Sequence, residues 1–251
     1  MSISGDQAET VEVLGVPVTC LDSYRHAVAT VMARVARRDS TVLVAINPEK
    51  IQRARQEAAL REFLQQADLR ICDGVGAQLA VRLLHGRRIA RITGIQLFFE
   101  LIAAAAEKQL GVFLLGARAE SNDGACRRLM AKHPQLRIVG TQDGYFSDET
   151  AVVEPINDSG AELLFVAMGS PKQEEWIARH RSSLRVPFCM GVGGTFDVVS
   201  GRAAWAPAIC RKTGTEFLYR LVREPKRWRR QLELPAFAWE ILKEKMGLRR
   251  P

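Results

Sequence analysis

Short apolar runs alternate along this chain with longer amphipathic stretches. Residues 41–46 (Thr-Val-Leu-Val-Ala-Ile), 69–72, 112–115, 137–139, 163–168 and 188–192 have strand length and are rich in β-branched and aromatic side chains. Turn residues close most of these runs before a helical pattern begins. Asn47 and Pro48 supply an N-cap and a first helical residue, and the pattern after them predicts a helix through about residue 66. Asp73-Gly74-Val75-Gly76 precedes a helical stretch to about residue 84, and Gly116 precedes one to about residue 132. Strands alternating with helices of this length predict an α/β fold with a parallel sheet covered on both faces. Residues 11–18 read as a small preceding hairpin across Gly15. No repeat or low-complexity stretch interrupts the pattern.

One strand end stands out. Met168-Gly169-Ser170-Pro171-Lys172-Gln173-Glu174-Glu175 places Ser170 as an N-cap, Pro171 at the first helical position and Gln173 three residues after the cap, a capping box. A helix start of this kind attracts anions through its unpaired N–H groups and partial positive charge. Lys172 and Gln173 add a cation and an amide at the same spot. In open α/β sheets ligands bind outside the carboxyl ends of the strands. Those ends here present Asn47, Asp73, Gly116, Gly169 with Lys172 and Gln173, and the turn of Gly193, Gly194 and Asp197. Such a set suits a phosphorylated small molecule, above all a nucleotide. Each member also has a plain structural reading, as a cap or a tight turn.

Several chemistries are excluded or weakened. Gly74-x-Gly76-x-x-Leu79 lacks the third glycine of a dinucleotide fingerprint. There is no P-loop, no G-x-S-x-G elbow and no D-x-D of a metal-bridged sugar-nucleotide site. Four histidines without ligand spacing argue against zinc. Five scattered cysteines read as thiols of a reducing cytoplasm. The first twelve residues lack a basic n-region, and no apolar run, 101–106 included, is long enough to span a bilayer.

Charge divides the chain. Residues 202–251 hold 13 Lys and Arg against 5 Asp and Glu, an excess of 8 that equals the net charge of the whole chain, +8. The expected organisation is thus a neutral α/β body over 1–201 and a basic helical appendage over 202–251. Within the appendage, 214–224, 225–234 and 235–246 read as three short helices. Arg220, Arg223, Lys226, Arg227, Arg229 and Arg230 are interleaved with Tyr219 and Trp228, and Phe237, Trp239, Ile241 and Leu242 precede Lys243 and Lys245. Basic residues beside aromatic ones suit an anionic membrane surface.

Taken in order, Asn47-Pro-Glu, Cys-Asp73-Gly-Val-Gly, Arg91-Ile-Thr93-Gly94, Leu-Leu-Gly116, Asp-Gly-Tyr145-Phe, Met-Gly-Ser-Pro-Lys-Gln-Glu174, Gly-Val-Gly-Gly-Thr-Phe-Asp197 and Phe-Leu-Tyr-Arg220 followed by Glu-Pro225 resemble the WecG/TagA/CpsF family of bacterial glycosyltransferases over about 11–234. The resemblance implies a Rossmann-like body with an appendage that helps close the active site. It implies inverting, metal-independent transfer from a UDP-sugar (UDP-N-acetylmannosamine, its uronic acid or UDP-glucose) to a polyprenyl-diphosphate-linked sugar. That chemistry serves cell-surface polysaccharide synthesis at the cytoplasmic face of the inner membrane, with no cofactor.

Carried over by position, Asp73 matches the general base; without the family, a turn or cap reading of this Asp stands first. Gln173 and Asp197 match contacts to the nucleotide sugar, and Asn47 lies in a motif lining the same pocket. Arg91, just before Thr93 and Gly94, matches an arginine near the sugar or diphosphate; its plain reading is a solvated surface arginine. Arg220, Arg227 and Arg230 match arginines that reach the leaving diphosphate. Tyr145 reads equally as a uracil stack or as core. One departure stands out: Ala45 occupies a position that often holds Thr in the family, which bears on the donor sugar. The readings from other classes are a nucleotide-dependent oxidoreductase and a basic nucleic-acid-binding module. The expected partners are the UDP-sugar, the lipid-linked acceptor and an anionic membrane, with no nucleic acid and with room for a homo-oligomer.

Overall fold

Alternate residues of each central strand enter opposite cores, and the common parallel direction of the strands brings every strand-end loop to one side of the sheet. The computed structural model describes residues 8–223, 228 and 233–248, apart from the side chains of Lys212 and Arg220. Six parallel strands form the sheet: β3 (Thr41–Ile46), β4 (Leu69–Cys72), β5 (Gly111–Gly116), β6 (Arg137–Gln142), β7 (Leu163–Ala167) and β8 (Phe188–Gly191), in the order β4-β3-β8-β7-β5-β6. Val42, Val44 and Ile46 of β3 join one core while Leu43 joins the other. In β7, Leu164 and Val166 oppose Leu163, Phe165 and Ala167 in the same way. Buried on both faces, such strands read as unbroken apolar runs.

The first core is covered by α2 (Pro48–Gln56), α3 (Ala58–Gln66), α4 (Val75–His85), α7 (Thr150–Asp158) and α8 (Lys172–His180). The second lies under α1 (Tyr24–Ala36), α5 (Gly94–Glu107), α6 (Ala119–Lys132) and α9 (Thr195–Ser200). The antiparallel hairpin of β1 (Thr10–Val13) and β2 (Val16–Thr19) turns at Gly15, as the pattern predicts. It shields the edge strand β4, whose Arg70 N–H donates to Thr19 Oγ1 at 2.9 Å.

All six sheet strands, with the α/β class, match the sequence expectation. Four local readings are corrected. The helix after Asn47 is two helices, broken at Glu57, whose backbone is extended and whose carboxylate takes two bonds from Arg53. The run 137–139 continues as strand to Gln142. Helices α1, α5, α7 and α9 carry no prediction above, and α5 buries eight residues on one half of its circumference while Phe99, Ala103 and Ala104 on the other half are apolar too, so its run has little helical contrast. Finally, Ser170 is not an N-cap. Helix α8 starts at Lys172 with Pro171 at the cap, and the Gln173 N–H that a capping box would engage is already bonded to the Gly169 carbonyl at 2.9 Å.

Beyond Gly201 the chain forms α10 (Ala208–Thr213), α11 (Glu216–Arg223) and α12 (Glu233–Lys245). The sequence reading missed α10, and α12 is already helical at Glu233, ahead of its expected start at 235, with Pro235 inside the helix. The middle expected helix, 225–234, lies mostly outside the described residues; Trp228, Glu233 and Leu234 are helical. Helix α12 returns to the body and rests on α2 and α4. Phe237 and Ile241 are each 4% exposed within the first core, and Arg55 pairs with Glu240 at 2.9 Å. The aromatic cluster expected to face outward is thereby split: Trp239 and Leu242 are exposed, Phe237 and Ile241 are not.

Candidate active site

The connections from β5 and β7 leave in opposite directions, α6 toward β6 and α8 toward β8, so a crevice opens beyond the carboxyl ends of this neighbouring pair. Two groups of side chains line this edge of the sheet. The first centres on Asp73, directly after β4. Its N–H is bonded to the Ile46 carbonyl at 2.7 Å, and its Oδ2 accepts the Gly94 N–H at 3.1 Å, the first residue of α5. A half-buried carboxylate is thus oriented by a helix N-terminus. A methyl added at Gly94 would lie 3.5 Å from Ala45 Cβ, 3.7 Å from Asp73 Oδ2 and 3.8 Å from Met190 Cε. Ala45, the family departure, therefore stands beside the Asp73–Gly94 contact.

Asn47 caps α2 through a 2.8 Å bond from Lys50 N–H to its Oδ1. Its turn packs on the turn after Asp73 closely enough that a Cβ at Gly76 would meet Pro48 Cγ at 2.7 Å. Thr93 is buried, and both its N–H and its hydroxyl bond to the Tyr24 hydroxyl, at 2.9 and 3.1 Å. Arg91 is not a solvated arginine. It pairs with Glu216 at 3.1 Å and donates to the Arg211 carbonyl, which ties the start of the basic tail to the rim of the Asp73 group. Burial, and then the neighbouring Asp73 charge, push the Cys72 thiol up to about 12, so it is no nucleophile near neutral pH.

The second group lies beyond β5, β7 and β8. Gly116 has φ +110°, and a Cβ there would sit 2.6 Å from the Ala167 carbonyl oxygen, so β5 and β7 approach too closely for any side chain. Asp197, in the first turn of α9, accepts the hydroxyl of buried Ser121 at 2.6 Å through Oδ1. Arg118 stands between these elements. The Tyr145 hydroxyl beside it raises its pKa above the ordinary arginine value, with further support from Glu120 and Asp197. Tyr145 is 73% exposed, which removes the core reading. It also shares the wall of a cavity of about 670 Å³ between β6 and α7, which Asp73 does not line. Lys172 Nζ reaches the Gly144 carbonyl at 3.3 Å. Gly169 and Gly193 have positive φ and open space where a side chain would go, and Gly194 faces Asp197 Oδ2.

Gln173 takes an unexpected position. It is 4% exposed, lies against Gly191, and accepts the Gly193 N–H at 2.8 Å through Oε1. Its Nε2 donates to Glu174 Oε1 at 3.2 Å, the same oxygen that pairs with Lys50 at 2.7 Å.

Exposed cations, glycine turns and fixed carboxylates at one sheet edge can bind a phosphorylated ligand and accept a proton beside it. Sequence reasoning missed Arg118, Ser121, Lys50 and Glu174. Arg118 and Ser121 follow Gly116 at a helix start, a position that signals ligand contact; Lys50 and Glu174 become partners only through the fold. Of the tail arginines, Arg220 lies in α11 with its side chain outside the described residues, as are Arg227 and Arg230 entirely.

The family model described as "Glycosyl transferase WecG/TagA/CpsF family" matches residues 11–251. A Bacillus subtilis (strain 168) protein, N-acetylglucosaminyldiphosphoundecaprenol N-acetyl-beta-D-mannosaminyltransferase, is similar at 32% identity over 210 residues, 84% of this chain and 82% of the relative.

Proposed function

This chain belongs to the WecG/TagA/CpsF family and is a glycosyltransferase, and we propose that it moves a sugar from a UDP-sugar to a polyprenyl-diphosphate-linked sugar with inversion and without a metal. The acceptor class is supported by the printed name of the Bacillus subtilis relative. The observation that carries the mechanism is the Asp73 carboxylate, held by the Gly94 N–H at the edge where ligands enter such sheets. Asp73 removes the proton of the acceptor hydroxyl as that oxygen attacks the anomeric carbon. The bond from this carbon to the β-phosphate oxygen breaks, and UDP departs with the electron pair.

The donor lies across the second group. Tyr145 meets the base, Asp197 meets the ribose or sugar hydroxyls, and Arg118 and Lys172 face the diphosphate with the glycine turns. Charge on the leaving group is neutralised by these cations and by the tail arginines in place of a metal. Gly94 and Ala45 bound the space that the transferred sugar fills beside Asp73. Donors within reach of this reading are UDP-N-acetylmannosamine, its uronic acid and UDP-glucose.

The protein works as a peripheral protein at the cytoplasmic face of the inner membrane. Among the described residues no helix is long and apolar enough to cross a bilayer. Trp228, Trp239, Leu242 and Val222 are exposed on the basic tail, a composition that suits an anionic lipid surface.

UDP release from a panel of donors with a lipid-diphosphate acceptor tests the reading. Asp73→Asn keeps an oxygen for the Gly94 N–H, so the fold and UDP binding should persist while turnover drops roughly 10²–10⁴-fold. Near-normal turnover would remove Asp73 as the base. Loss of activity in excess EDTA, restored by Mg²⁺ or Mn²⁺, would overturn the metal-free mechanism.

A further inference from the structure

Among the described residues, few charged groups are as deeply enclosed as Lys50 and Glu174. Their side chains are 11% and 3% exposed, and they come from the first turns of α2 and α8. Burying such a pair carries a desolvation penalty that can exceed the attraction between the ions, so its presence is weak evidence for a stabilising role. Here the cost is not fully offset. Glu174 Oε1 takes both Lys50 Nζ and Gln173 Nε2, while its buried Oε2 has no hydrogen-bond partner among the described residues. An arrangement that stability alone does not explain calls for another role.

That role is legible in Gln173. A side-chain amide has a donor end and an acceptor end of nearly equal shape, so packing alone does not set which way it faces. The ring of contacts around it does. The Gly193 N–H can meet only an acceptor, and the Glu174 carboxylate, paired with Lys50, can meet only a donor. Turned over, the amide would set Nε2 against an N–H and Oε1 against a carboxylate, repulsive at both ends. We infer that Glu174 is a positioning residue: with Lys50 it fixes the Gln173 amide so that Oε1 holds Gly193, and thereby sets the turn that delivers Asp197. The effect travels from Glu174 to the Gln173 amide, from there to the Gly193–Gly194 turn, and then to the first turn of α9. Gly191 is part of the device, because a Cβ there would meet Gln173 Nε2 at 2.7 Å and dislodge the amide. The consequence for substrate rests on the reading that this turn takes part in donor binding.

Two double variants separate positioning from bulk stability. Both Lys50→Met with Glu174→Gln and Lys50→Met with Glu174→Met remove the buried charges, a change that well-packed interiors often tolerate. Only the first keeps an oxygen for Gln173 Nε2. Hydrogen exchange of the Gly193 amide should stay near wild type in the first and accelerate roughly five- to tenfold in the second, the weight of one hydrogen bond. The UDP concentration needed to raise the melting temperature should increase by a similar factor in the second alone.

The charge swap Lys50→Glu with Glu174→Lys gives an independent comparison. It restores the ion pair but places only donors at 174, so the melting temperature should recover and Gly193 protection should not. Equal Gly193 protection in the two variants that share Lys50→Met, or full protection in the swap, would overturn the inference. A wild-type protein whose melting ignores UDP, with the protection difference intact, would overturn the donor reading and still support the positioning.

Discussion

Replacing Gly94 by alanine should make this protein more stable and a poorer catalyst. The backbone at Gly94 is not in the left-handed region, so an L-residue fits, and the added methyl falls at 3.5–3.8 Å from its three nearest neighbours, ordinary van der Waals separations. No overpacking cost is therefore expected. Restricting the unfolded chain at a compatible glycine is worth about 0.4–1 kcal/mol. For a chain of this size that corresponds to a rise of roughly 1–4 °C in Tm. The methyl, however, stands 3.7 Å from Asp73 Oδ2, in the space assigned to the reacting sugar. Displacing a reactant by about 1 Å costs on the order of 10²-fold in rate. Calorimetry and the UDP-release assay on one preparation measure both effects. A lowered Tm would refute the packing argument at the start of α5. A raised Tm with full turnover would show that substrate does not use this space, and would remove Asp73 from the reaction with it.

Two further predictions concern the tail. Phe237→Ala should cost about 3–5 kcal/mol in urea unfolding, the usual range for a buried phenylalanine, and expose α12 to protease; a loss below about 1 kcal/mol would show that α12 does not complete the core. Trp239→Ser with Leu242→Ser should leave Tm unchanged and weaken sedimentation with anionic vesicles most clearly at high salt, where attraction by the basic residues is screened; unaltered sedimentation would refute the lipid-facing role of α12.

The central strands were legible because burial on both faces writes itself as continuous apolar runs, and Asn47 was legible as a cap because Asn followed by Pro at a strand end matches a cap and a first helical residue. Ser170 shows the limit of such signals. Its spacing to Gln173 is that of a capping box, yet the Gly169 carbonyl takes the N–H first, and the glutamine side chain is drawn to Gly193, twenty positions on in sequence. Arg91 shows another. Its partners Glu216 and Arg211 lie 125 and 120 positions on, in the tail, and no local pattern announces a contact over that separation. Strand order was equally out of reach, since β8 inserts between β3 and β7 through contacts that only the assembled sheet defines. Motifs at strand ends survived this because the parallel α/β arrangement brings every carboxyl end to one side whatever the order.

The contact between the turn after Asp73 and the Asn47-Pro48 turn has a consequence for how this sequence can diverge. With 2.7 Å between Pro48 Cγ and the place of a Cβ at Gly76, position 76 cannot gain a side chain while the proline ring stays. A lineage that acquires a side chain at 76 must first lose the proline ring at 48, and one that keeps the proline must keep the glycine. Two short motifs distant in sequence are thus ordered in their divergence, and relatives that carry a side chain at 76 should be ones that lack the proline at 48.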